Sequence, residues 1–173
     1  MNNGKKFYGK YRGTVVNNVD PLQLGRIQVM VPDVSTVIPS SWAMPCVPVV
    51  GLQMGIYAVP PIGAGVWVEF EQGDPDYPIW TGCFLGSPTD VPLAARPVVP
   101  PISGITLQTM LQNSVVVSDL PPTPVTGGIV LRSATGATIV VNDTGIYIQN
   151  GKGASIVMVG PTVTINNGAL TII

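Results

Sequence analysis

Two spacings of apolar residues divide this chain. From Tyr11 to Leu85 the apolar residues form short alternating runs broken by turn chemistry. From Gly127 onward short strands succeed one another between Gly, Asn and Asp, and one side-chain phase is apolar throughout. That phase comprises Ile129, Leu131, Ala137, Ile139, Val141, Ile146, Ile148, Ile156, Met158, Val163, Ile165, Leu170 and Ile172. Successive strand residues point to opposite faces, so these side chains line one surface. So short a segment does not make an independent core, and the surface requires copies of itself or a partner. The pattern predicts a self-assembling, needle-like oligomer.

Six strands are predicted in the tail, around 129–132, 137–142, 146–149, 155–159, 162–165 and 170–173. At about 4.8 Å per strand they would extend on the order of 30 Å. In the first half, strands are predicted at Tyr11–Val16, Gly25–Pro32 with Ile27, Val29 and Val31 on one face, Trp42–Pro48, Gly55–Pro60, Val66–Glu71 and Pro78–Leu85. Pro45 and Pro48 demote the third to an edge or irregular segment. Five or six short strands in so little chain predict a small closed barrel. Between the halves, residues 87–125 carry eight prolines and read as a connector that runs extended and resists regular pairing. Its middle, Ile105 to Val117, is apolar enough to pack against a neighbour. The domains are therefore 1–86, 87–125 and 126–173.

Composition sharpens this reading. With 20 Gly, 18 Pro and no convincing helical stretch, the chain is all-β. Only 10% of residues are charged while 46% are hydrophobic, so much of the surface is expected to be interface. From Pro97 onward the charges are Asp119, Arg132, Asp143 and Lys152 alone. A net charge of -1 supplies no field for nucleic acid, and the basic Lys5, Lys6, Lys10 and Arg12 read as a solvated arm. The start, MNNGKKFYGKYRG, lacks an apolar signal core, which predicts synthesis in the cytoplasm without a signal peptide.

Candidate chemistry is sparse. There is no histidine, so neither the serines nor Cys46 and Cys83 have a base of that kind, and two cysteines fall short of a zinc site. Both thiols sit in apolar contexts and are expected to be free and buried. Glu69 and Glu71 share a strand face and read as its solvated side, whereas paired catalytic carboxylates must flank a cleft. Asp74 and Asp76 read as a tight turn with too few oxygens for calcium. Trp67, Phe70, Trp80 and Phe84 are expected in the core. No catalysis, metal or cofactor is predicted.

Tyr11-Arg12-Gly13-Thr14-Val15-Val16-Asn17-Asn18-Val19-Asp20-Pro21 followed by Leu24-Gly25-Arg26-Ile27-Gln28-Val29-Met30-Val31-Pro32 resembles the N-terminal OB domain of contractile-tail spike proteins, among them phage baseplate assembly protein V and the VgrG spikes. The stretch from Val66 to Gly82 is similar to the second signature of that family. The tail resembles the family's triple-stranded β-helix. The resemblance implies an OB-fold barrel followed by an intertwined triple-stranded β-helix formed by a homotrimer, with the phase from Ile129 to Ile165 as its core. It further implies docking of the barrel on a baseplate hub protein and transient contact of the needle with a target membrane. Also implied is incorporation in a phage virion or a contractile injection particle. No lysozyme domain separates barrel from needle, so cell-wall hydrolysis is not implied. The family's histidine-held metal apex has no counterpart. The apolar strand Leu170, Ile172 and Ile173 is instead expected to bind a separate PAAR-type tip protein.

Function is thus predicted as a structural central spike that pierces an envelope when the sheath contracts. A trimeric adhesin or fibre module binding glycans is the alternative from another class, weakened because Tyr147 is the only aromatic after Phe84. An OB-type nucleic-acid binder is the third reading.

Overall fold

The computed structural model describes residues 4–172, which divide between Gly86 and Ser87 into two compact units. Among them there is no α-helix, only one-turn 3₁₀ segments at Glu71–Gly73, Pro88–Asp90 and Leu93–Ala95. The protein is all-β.

The first unit contains β1 (Tyr11–Asn17), β2 (Gln28–Met30), β3 (Met44–Pro45), β4 (Val50–Gly51), β5 (Met54–Gly55), β6 (Gly65–Phe70) and β7 (Pro78–Cys83). Five of them form a sheet in the order β2-β1-β6-β7-β3. β3 runs parallel to β7, and an Ile27–Ala43 bridge joins the two ends of the sheet. A five-stranded sheet closed in this order is an OB-type barrel. Alternation decides which side chains fill it. Val66, Val68 and Phe70 of β6 point inward, as do Val15, Trp80 and the trio Ile27, Val29 and Val31. Burying each of these contributes about 1.5–3 kcal/mol.

Three expectations for this unit change. Trp67 lies on the outer side of β6, where Phe84 packs at 5.1 Å between ring centres and the Arg12 guanidinium sits 5.5 Å from its ring. Period 2 places only Phe70 and Trp80 in the core. Cys46 and Cys83 are free, but exposed, because each stands at or beyond the end of a short strand. The strand expected over 55–60 is reduced to β5, and β4 and β5 form a hairpin of their own.

The loop after β1 is organised by a buried ion pair. Arg26 Nη2 donates to Asp20 Oδ1 at 2.6 Å, and the backbone N–H groups of Leu22, Leu24 and Arg26 also donate to this carboxylate. The Arg26 hydrogen bond, reinforced by the backbone donors, holds Asp20 well below the usual carboxylate range against the opposing effect of burial. The folded state therefore binds this proton less readily than the unfolded chain. Its contribution is complete above the unfolded value of about 3.9 and is lost as pH falls toward the folded one. Asp20→Asn is expected to lower the melting temperature at pH 7 and to flatten its acid dependence. Superimposable melting-versus-pH curves for the two proteins would contradict this role.

The second unit is one antiparallel meander of eight strands, each paired with its sequence neighbour. These are β8 (Gly104–Gln108), β9 (Ser114–Thr123), β10 (Thr126–Arg132), β11 (Thr138–Asn142), β12 (Gly145–Gln149), β13 (Ser155–Val159), β14 (Thr162–Ile165) and β15 (Leu170–Ile172). The stretch expected to resist pairing thus supplies two strands. Its prolines flank the ladder: the paired runs 104–108 and 114–118 contain none, so every residue there keeps its N–H. Part of one face of the sheet is covered by its own chain. Val116, Val130, Val140 and Tyr147 are buried there, with Ala94 and Val98 packed on them.

An irregularity at the β9–β10 hairpin sets the phase of the later strands. The register jumps between Thr126 and Gly128, and Gly127 and Gly128 both have positive φ, 75° and 69°. Asn142 Nδ2 secures the hairpin by donating to the carbonyls of Thr123 at 2.7 Å and Thr126 at 2.9 Å.

Candidate functional site

The face of the second unit opposite Val140 and Tyr147 is the candidate site. The strand registers place its side chains in two unbroken columns. Ile105, Val117, Ile129, Val141, Ile146, Met158, Val163 and Ile172 stand directly opposite one another in sequence. Beside them run Leu107, Val115, Leu131, Ile139, Ile148, Ile156, Ile165 and Leu170. Every position is apolar, and no charge stands in either column.

All ten residues expected in the trimer core lie in these columns. Ile129, Leu131, Ile139, Val141 and Ile156 are exposed, Ile129 at 47%, while Ile146, Ile148, Met158, Val163 and Ile165 are half-buried by their neighbours. Ala137 precedes β11 and stands outside the paired columns. Sequence reasoning missed Ile105, Leu107, Val115 and Val117 because it read the prolines around them as the end of regular structure. The alternation of Ile105 and Leu107 about Thr106 was the available signal, whereas Val115–Val117 is an unbroken apolar run that does not distinguish its two faces. Of the residues expected at the tip, Leu170 and Ile172 are exposed on β15, and Ile173 lies outside the described residues.

Magnitudes make this face a candidate interface. A half-exposed aliphatic side chain retains roughly 1 kcal/mol of unrealised burial. Two such residues on each of eight strands amount to the order of 15 kcal/mol per chain. Association costs about 4–15 kcal/mol, so covering the whole face can hold copies together. The exposed patch on a typical monomer is a few hundred square ångströms and often functional.

Lys6, Lys10, Glu69 and Asp74 have local structural roles. Lys10 Nζ pairs with Glu69 at 2.8 Å and Lys6 Nζ with Asp74 at 3.6 Å, both at the surface. Asp74 also accepts from the Asp76 N–H in a turn. Among the described residues no group of three metal-ligating side chains converges. Nor is any helix among them long and apolar enough to cross a membrane. Tyr147, the one aromatic of the second unit, is buried beside Val140 and its hydroxyl meets Thr144 Oγ1 at 2.9 Å, so it offers no stacking surface for a sugar.

Comparison with known families agrees with both units. Residues 11–85 match the type VI secretion system/phage-baseplate injector OB domain, and residues 104–171 match the phage baseplate V C-terminal trimerisation domain. The second match begins at β8, so it takes in the two strands that lie before Gly127. No curated protein matches the chain. Carrying the injector OB domain and the trimerisation domain in tandem, the chain belongs to the baseplate V spike family and is a structural component of the baseplate.

Proposed function

We propose that three copies turn their two-column faces inward and form the shaft of a central spike. The unbroken apolar register across eight strands carries this reading. Because backbone pairing is already satisfied between successive strands of one chain, the three sheets associate through side chains around a dry axis. Successive layers of that core are tied by ladder hydrogen bonds, which makes the shaft stiff. Eight strands at about 4.8 Å give a shaft on the order of 35–40 Å, longer than the six-strand expectation and comparable with a bilayer's hydrocarbon core. The barrel, with the basic residues Lys5, Lys6, Lys10 and Arg12, docks on a baseplate hub protein. Sheath contraction then drives the shaft through the target envelope, in a phage or a related injection particle.

β15 is paired along one side only and exposes Leu170 and Ile172. An uncovered apolar edge of this kind invites a partner. We assign it to a PAAR-type tip protein that caps the three chains. Multi-angle light scattering of the full chain is expected to give a trimer; a stable, well-folded monomer would refute the shaft. Ile172→Lys, at the last strand of the column, should weaken tip binding in a pull-down more than it lowers the trimer's melting temperature. Particles with an ordered distal end and no tip protein or domain would remove that assignment.

A further inference from the structure

The barrel carries a second apolar feature that the shaft does not use. The β4–β5 hairpin projects Val50, Leu52 and Met54 into solvent, Leu52 at 95% exposure, on a two-residue turn with Gln53 at positive φ. Beside it opens an apolar cavity of about 230 Å³ walled by Leu24, Met44, Pro45, Tyr57 and Val59. Its floor is Trp80, fixed by an indole N–H donated to the Gly25 carbonyl at 3.1 Å. The hairpin's roots, Val50 and Ile56, line the same cavity, but Leu52 does not, so the knob stands next to a hole that it does not fill.

Size and charge fit the two together across copies. An apolar cavity of roughly 150 Å³ holds a benzene molecule, so this one accommodates an isobutyl group. No charged residue occurs between Asp33 and Glu69, so two such surfaces meet without like-charge repulsion. A knob and a hole at different points of one surface make a heterologous contact, which closes only in a ring. A trimerisation domain on the same chain supplies the three-fold relation and holds the barrels at an effective concentration in the millimolar range.

We propose that Leu52 of each barrel seats in the Leu24–Trp80 cavity of the next copy, joining the three barrels head to tail. The inference rests on the trimer proposed above. Its test uses the full chain with Cys46 and Cys83 replaced by Ser, carrying Leu52→Cys and Leu24→Cys together. After mild oxidation a denaturing, non-reducing gel should show a covalent trimer for the pair and none for either single variant. Light scattering on the same samples separates the failures: a trimer that does not cross-link overturns the ring but leaves the shaft, whereas a monomer overturns both. Rapid maleimide labelling of the Leu52→Cys single variant as an intact trimer would leave the knob free for another baseplate protein and overturn the ring. Dimers from Leu52→Cys alone would indicate a symmetric contact and do the same. Leu52→Asp, at a site exposed in the single chain, should leave the chain folded and lower the melting temperature of the assembled trimer. An unchanged transition would argue against the contact.

Discussion

Ile148→Asp is expected to abolish the trimer. Ile148 stands between Ile139 and Ile156 in the middle of one apolar column, half-buried in the single chain. Three-fold symmetry would bring three carboxylates to one level of the axis. Each would be desolvated at a cost of several kcal/mol with no partner to offset it. Per chain, that penalty is set against the gain from covering one face less the cost of association, a margin of only a few kcal/mol, so light scattering should report monomer or frayed aggregates. Val159→Asp supplies the control. Val159 is 46% exposed on the other face of the sheet, where a carboxylate stays in water, and assembly should change by less than about 0.5 kcal/mol. If the Ile148→Asp trimer melts like the parent, the columns do not face inward.

Gly128→Ala is expected to damage the sheet itself. Gly128 has φ of 69°, and a Cβ there would lie 2.2 Å from the Val141 carbonyl oxygen and 2.8 Å from the Asn142 Cβ. The left-handed conformation alone costs an L-residue roughly 1–2 kcal/mol. The backbone contact cannot be relieved by turning a side chain, so β11 must shift. That movement would break the hydrogen bonds of Asn142 to Thr123 and Thr126, each worth about 1 kcal/mol. A total loss of at least ~3 kcal/mol should appear as a far-ultraviolet circular dichroism transition lowered by many degrees, independent of protein concentration. Ile148→Asp would instead act through association and depend on concentration. Finding Gly128→Ala as stable as the parent would mean that the hairpin is more plastic than its packing indicates.

Much of the architecture was legible because strand periodicity is local. The apolar phase from Ile129 to Ile172 identifies six strands and the face they share, and the signatures at 11–32 and 66–82 point to the barrel that residues 11–85 match. Alternation likewise puts Ile27, Val29 and Val31 inside. It does not say what lies beside a strand or above a face, and there the tertiary structure decided. Pro-flanked 104–108 and 114–118 become strands because β10 offers β9 a ladder, and β9 in turn offers one to β8, none of whose bonds needs a proline N–H. Trp67 and Trp80 look alike in sequence, yet one faces Arg12 outside the barrel and the other floors a cavity. Asp20 is an ordinary turn residue until the chain brings Arg26 and three backbone N–H groups to its carboxylate. In each case the local pattern sets which way a side chain points, and contacts distant in sequence set what it meets and whether water remains there.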